Sequence, residues 1–296
     1  MFNQLGVIGC GLMGGSFALA LKRAGLVKRV IGYSKSPSTT DLAKRMGVID
    51  VAAESALLAV SGSDIVLVAV PVAAMEVTFR SVANLIGPEV LLMDVGSTKR
   101  DVVDTARRVL KDRVRSFVPA HPIAGSEQSG VQAADATLYN GRQVILTPLA
   151  QTLPEHVQRA TAAWQAIGGQ VQSMTPENHD AAFAAVSHLP HLLAFAYFSA
   201  IAHQPAGPEF LQLAGPGFRD FTRIAASDPT VWRDILMANR EEVLRQVHRF
   251  RYALEAMERA MLDGHGPLLE ELIRAASEPR SQWQIGGPPL QRNGSP

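Results

Sequence analysis

Leu5-Gly6-Val7-Ile8-Gly9-Cys10-Gly11-Leu12-Met13-Gly14-Gly15-Ser16 is the stretch on which the fold turns. A short apolar strand runs into Gly-x-Gly-x-x-Gly and leaves it as an apolar helical pattern over residues 17–24. Gly9 permits the tight turn, Gly11 lets backbone approach a pyrophosphate, and Gly14 lets helix pack on strand. The first turn of that helix offers unpaired N–H groups and the positive end of its dipole to an anion. Strand, turn and helix stand in the order a dinucleotide site requires, with Gly9, Gly11, Leu12, Met13 and Gly14 as its expected residues. Cys10, inside the turn, reads as a small filler, since no partner base is near it in sequence.

Outward from this turn, the first half alternates β-branched runs with helical patterns, which predicts a parallel sheet flanked by helices. Candidate strands cover 6–9, 29–33, 65–70, 90–94, 116–120 and 144–147, with a last short one over 170–174. From residue 176 the strand signals vanish and Ala- and Leu-rich helical stretches take over, at 176–202, 218–226, 231–263 and 268–276. The fold expected is α/β, a Rossmann-type doubly wound parallel sheet over 1–174, followed by an all-α domain over 175–278. Residues 279–296, rich in Gly, Pro and polar side chains, are expected to form a disordered tail.

A chain of 296 residues can bury two cores. Its net charge of +1 gives no support for a nucleic-acid or polybasic membrane partner. A single cysteine excludes an internal disulfide and fits a reducing compartment, so a cytoplasmic location is expected. The apolar stretch 56–75 is interrupted by Asp64 and Pro71, and no membrane span is expected there.

In an open parallel sheet ligands sit outside the carboxyl ends of the strands. Val70-Pro71 leaves one such end toward the expected cofactor crevice. After the second strand an NAD site ordinarily places an Asp or Glu, which bonds the ribose hydroxyls and repels a 2′-phosphate. Here Ser34-Lys35-Ser36 follows instead, and this neutral, hydroxyl-rich loop with one lysine favours NADP over NAD. Ser97, in Asp94-Val95-Gly96-Ser97-Thr98-Lys99, is either a helix N-cap or a substrate contact. His121 lies on no apolar helical face and is followed by Pro122 and a polar, glycine-containing loop, which suits a general base.

These segments, with Ser187-His188-Leu189-Pro190-His191 and Arg223-Ile224-Ala225-Ala226-Ser227-Asp228-Pro229, occur in the order seen in the prephenate/arogenate dehydrogenase family. The chain resembles that family from about residue 5 to 275, on five motifs in register. The resemblance implies oxidation of the ring C4 hydroxyl of a cyclohexadienyl acid, with hydride transfer to NAD(P) and loss of the ring carboxylate as CO2. It implies that His121 takes the hydroxyl proton and that Ser97 bonds this hydroxyl and orients the histidine. Arg223 is implied to clamp a carboxylate through its planar fork of donors. Ser187, His191, Ser126 and Glu127 are implied around the substrate, and Glu127, Asp220 and Arg223 resemble a set whose ion pair gates access.

No metal is expected: His188 and His191 stand at i, i+3 but without a further ligand pattern. The resemblance and the strongly apolar helices after residue 176 together imply a homodimer built on the helical domain. A β-hydroxyacid dehydrogenase would share this layout but uses a lysine in its helical domain, and this chain has none after Lys111. A redox-sensing dinucleotide-binding module would leave His121, Ser97 and Arg223 without a task. Prephenate and arogenate are not separated by the sequence.

Overall fold

The central strand is β1 (Phe2–Ile8), whose Leu5 to Ile8 run is buried, as a strand covered on both faces must be. Around it lie β2 (Val27–Tyr33), β3 (Val51–Ala52), β4 (Ile65–Val68), β5 (Leu91–Asp94) and β6 (Phe117–Val118). All pair in parallel, in the spatial order β3-β2-β1-β4-β5-β6. The order reverses between β1 and β4, where Ile8 is level with Val68, and a ligand crevice opens beyond such a switch point. This architecture comes from a computed structural model, which describes residues 1–124 and 128–287. The chain divides into two units, Met1–Val243 and Leu244–Pro296.

Helices α1 (Leu12–Arg23), α2 (Pro37–Arg45), α3 (Ala56–Val60), α4 (Met75–Val82), α5 (Arg100–Leu110) and α6 (Pro154–Ala166) fill the connections. The glycine turn is built as its spacing predicts. Gly9 has φ +98°, and a Cβ there would lie 2.2 Å from the Ala69 carbonyl oxygen. A Cβ on Gly14 would lie 2.0 Å from the Gly9 carbonyl oxygen, so only glycine lets α1 start this close to β1. Phe17 on α1 packs 4.7 Å from the Trp164 ring of α6, and Tyr139 meets Trp164 edge-on at 5.1 Å. The Tyr139 hydroxyl donates to the Met13 carbonyl at 2.6 Å, which ties the first turn of α1 to this aromatic core.

The expected strand over 116–120 is two strands in two sheets. Pro119 interrupts it, having no N–H to donate to a ladder. Beyond it β7 (Ala120–Pro122) pairs antiparallel with β8 (Gln143–Leu146), which pairs in parallel with β9 (Gln170–Ser173). His121 therefore sits on a separate three-stranded sheet at the edge of the main one.

The helical part of the first unit comprises α7 (Pro176–Phe183), α8 (Leu189–Ala202), α9 (Gly207–Gln212), α10 (Pro216–Thr222) and α11 (Pro229–Ala238). A π turn, Ala184–His188, joins α7 to α8 just before Pro190. The run Pro176–Ala202 is by length and composition apolar enough to cross a membrane, which the stretch 56–75 is not. It also carries Asp180, His179, His188 and His191. The expected helix over 231–263 breaks at Asn239, between α11 and α12 (Arg240–Leu262). In the second unit α13 (Gly266–Gln282) continues through Pro279 into the first residues of the expected tail, and the His265 ring accepts from Leu268 N–H at its start.

Candidate active site

Two cavities share two residues, one at the carboxyl ends of the main sheet and the other beside β7 of the small sheet. The first, about 360 Å³, is lined by Gly11, Leu12, Met13, Val70, Pro71 and Ser97 on the sheet side. From the helical side it receives Ser227, Trp232 and their neighbours on α11. The second, about 480 Å³, holds His121, Ser187, His191, Arg142 and Arg223, and again Ser227 and Trp232. The structure thus brings Gly11, Leu12, Met13, Val70 and Pro71 of the expected cofactor residues to one cavity, with Gly9, Gly14, Ser34 and Lys35 outside its lining. It brings Ser187, His191 and Arg223 of the expected substrate residues to the next. Ser126 and Glu127 lie outside the described residues.

The first cavity suits a dinucleotide. No side chain caps α1, so the N–H groups of its first turn are left to the cleft. A Cβ placed on Gly11 would meet nothing within 4 Å, so backbone there faces open space. Cys10 is buried in the turn, and burial pushes its thiol up to about 11, which leaves it inert. Ser34 Oγ accepts from Cys10 N–H at 2.9 Å, and Ser34 N–H donates to Thr40 Oγ1 at 3.0 Å. The residue standing where an acid is usual therefore braces the glycine turn. Lys35 beside it is exposed.

The expected roles of Ser97 change. It is not the cap of α5: the Asp180 carboxylate accepts from Lys99 N–H at 2.8 Å and Arg100 N–H at 3.0 Å and does that work from α7. Nor does Ser97 hold the His121 ring. His121 Nδ1 lies 2.8 Å from His179 Nε2, and His179 Nδ1 lies 2.8 Å from Asp180 Oδ1. Ser97 instead lines the first cavity.

Beneath His121 lies a buried ion pair. Lys99 Nζ donates to Asp94 Oδ2 at 2.5 Å and to the Ala120 carbonyl at 2.8 Å, with neither charged side chain exposed. Asp94 also accepts from Gly96 N–H and from Ala120 N–H, so the pair clamps the residue before His121 to the end of β5. Burial holds the His121 imidazole well below its usual range, and the nearby charges of His179 and Lys99 add to this. Burial alone would raise the Asp180 carboxyl. Its hydrogen bonds from His179 and from the Arg100 and Lys99 backbone outweigh that and hold it below the ordinary range. His179 is lowered by burial, partly offset by Asp180.

On the helical side, His191 Nδ1 donates to the Ser187 carbonyl at 2.9 Å, and its ring stacks on Trp232 at 3.5 Å and 17°. The π turn and Pro190 set this four-residue step. His188 does not join His191 as a ligand pair: Asn239 Nδ2 donates to its Nδ1 at 3.1 Å and also to the Asp180 carbonyl at 2.8 Å. Burial holds His188 down to about 4. Arg223 opens the short 3-10 turn after α10 and lines the second cavity, whereas Arg219 pairs with Asp220 on the exposed surface at 3.0 Å.

Sequence reading missed His179, Asp180, Asn239 and Arg142. The first two close the polar stretch Glu177-Asn178-His179-Asp180, which reads as the ordinary solvated start of a helix. Asp180 lies 81 residues from the backbone it caps, so no local spacing marks them.

A Rossmann sheet whose switch-point cleft adjoins a histidine- and arginine-lined cavity is the architecture of a dinucleotide-dependent dehydrogenase. The chain belongs to the prephenate dehydrogenase family: residues 17–173 match the model for its nucleotide-binding domain and residues 175–275 that for its dimerization domain. It is 32% identical to cyclohexadienyl dehydrogenase of Zymomonas mobilis over 95% of this chain and 96% of that protein. It is 39% identical to prephenate dehydrogenase of Bacillus subtilis over 82% of this chain, a match spanning 66% of that protein's length. Among solved structures, prephenate dehydrogenase of Aquifex aeolicus in complex with hydroxyphenyl propionate and NAD+ superposes with a TM-score of 0.88. That match has 35% identity and covers 95% of this chain and 98% of that one.

Proposed function

We propose that this chain oxidises and decarboxylates a cyclohexadienyl acid, prephenate or arogenate, yielding 4-hydroxyphenylpyruvate or tyrosine. The observation that carries the reading is the junction of the two cavities at Trp232 and Ser227, which sets the His121 pocket beside the cleft of the glycine turn. The first turn of α1 and Gly11 would hold the pyrophosphate of a nicotinamide dinucleotide, and Val70 and Pro71 would wall its cleft. When bound, that cofactor supplies a hydride acceptor.

The chain's own residues then have distinct tasks. His121, neutral at pH 7 through burial, accepts the proton of the ring hydroxyl. Ser97, on the cofactor side, hydrogen-bonds that hydroxyl. Arg223 holds a substrate carboxylate with its planar fork of donors. Ser187 and His191 contact the substrate side chain, with Trp232 fixing the His191 ring and excluding water from the junction.

The Ser34–Lys35 loop supports NADP over NAD, since it lacks the carboxylate that repels a 2′-phosphate. Exposed apolar side chains on the helical part, among them Tyr197, Phe198, Phe210 and Phe221, support a homodimer through this face, in a cytoplasmic enzyme.

The test is steady-state absorbance of reduced nicotinamide with prephenate or arogenate, each with NAD or NADP. Turnover in any combination sustains the reading, and the preferred pair assigns substrate and cofactor. Silence in all four from folded protein that binds the cofactor would overturn it.

A further inference from the structure

His179 and Asp180 are fully buried, adjacent on α7, and joined in series to the one histidine of the β7 edge. The proton positions along this chain follow from valence. Asp180 accepts three N–H groups, from Lys99, Arg100 and His179, and a carboxylate in that role is ionised. An ionised Asp180 requires the proton of His179 on Nδ1. A neutral His179 then has a bare Nε2, which can only accept, so His121 Nδ1 must donate to it. The remaining nitrogen of His121, Nε2, has no protein partner among the described residues and belongs to a ring that lines the second cavity.

We propose that His179 and Asp180 are positioning residues that lock His121 in the Nδ1–H tautomer, leaving Nε2 as the atom that takes the substrate proton. This rests on the reading of His121 as proton acceptor given above. In the step, the substrate O–H bond breaks and an Nε2–H bond forms on His121. The new imidazolium keeps its Nδ1–H donated to His179, whose own Nδ1–H stays on the Asp180 carboxylate. The negative charge two rings away stabilises the protonated state without itself taking the proton. Phe183 packs on both rings, at 4.8 Å from His121 and 4.5 Å from His179, and restrains their mutual rotation.

The charged and titratable groups facing this pair are few. Lys99 and Asp94 lie beneath it from the β5–α5 connection, His188 beside it from the π turn, and Asp180 behind it. Arg142, Arg223 and His191 stand across the cavity. Lys99 is paired with Asp94 but still opposes a positive charge on His121, and Asp180 acts on His121 only through the His179 ring it holds.

The experiment is 15N NMR of histidine-labelled full chain, with His121 assigned by its loss in His121→Asn, alongside kinetics of His179→Asn, His179→Gln and Asp180→Asn. The wild type is expected to show His121 protonated on Nδ1 and bare on Nε2. His179→Asn retains a donor toward Asp180 but cannot reach His121. It should release the tautomer and lower kcat by about 10–10³-fold, with substrate KM changed less than about threefold. His179→Gln places an acceptor near the lost Nε2 and should recover part of that kcat. Asp180→Asn should weaken the base and move the acidic limb of kcat/KM to lower pH, a shift that a merely structural residue would not cause.

A wild-type His121 carrying its proton on Nε2 overturns the inference, as does a His179→Asn protein with unchanged tautomer and kcat. The NMR readout needs no substrate, so an inactive wild type with the Nδ1–H tautomer would refute the proposed reaction while the lock stands.

Discussion

Lys99 and Asp94 form an ion pair from which water is wholly excluded, with Nζ 2.5 Å from Oδ2 and both side chains 0% exposed. The pair is five residues apart in sequence and bridges the end of β5 to the Ala120 carbonyl. Breaking a buried pair by deleting one partner strands the other charge in a medium that cannot solvate it. Lys99→Met should therefore destabilise the protein by about 3–5 kcal/mol in urea denaturation. The double variant Lys99→Met/Asp94→Leu should recover part of that loss, and a single variant as stable as wild type would show that the pair contributes nothing.

His121→Asn should cut turnover by about 10²–10⁴-fold while the substrate still binds. The amide keeps a donor near the Nδ1 position but lacks a basic nitrogen. Isothermal titration with a substrate analogue separates the two effects, and near-normal turnover would remove His121 from the chemistry.

Arg223→Ala should raise substrate KM at least about 30-fold, equivalent to about 2 kcal/mol in binding, because a carboxylate loses its fork of donors. Arg219→Ala, which removes an arginine paired on the open surface, should leave KM unchanged. Equal effects from both substitutions would point to a general loss of charge instead.

Ser34→Asp should raise KM for NADP by about tenfold or more while sparing NAD, since a carboxylate there repels a 2′-phosphate. The measurement is the ratio of kcat/KM for the two cofactors. An unchanged ratio would show that the loop after β2 does not read the ribose.

Stability should fall in mild acid. His188 is buried and neutral, with its pKa lowered from 6.5 to about 4 in the folded protein. The unfolded chain therefore binds the extra proton first. The stabilisation is present above about 6.5 and is lost as pH falls from there toward 4. At about 1.4 kcal/mol per pKa unit the loss is of the order of 3 kcal/mol. Urea midpoints measured from pH 7 to 4 should drop, and His188→Gln should flatten that slope.

The glycine turn was legible because its constraints are local. A positive φ at Gly9 and a 2.0 Å approach of a Gly14 Cβ to the Gly9 carbonyl are imposed within six residues, and the spacing records them. Periodicity likewise announced the parallel sheet and the helices after residue 176. It failed at Pro119, where one apolar run serves two sheets, because register between sheets leaves no mark on alternation.

The sequence by itself determined the Rossmann half, its glycine turn and the family, since short-range sterics and motif order suffice for these. Only the tertiary structure decided what holds His121. The partner ring comes from His179, 58 residues away, and the carboxylate that fixes that ring also caps a helix 80 residues earlier. Those contacts arise when the helices pack on the strand ends and desolvate the groups between them. Desolvation depends on what surrounds a residue in space, and a buried Asp180 reads in sequence like any other aspartate.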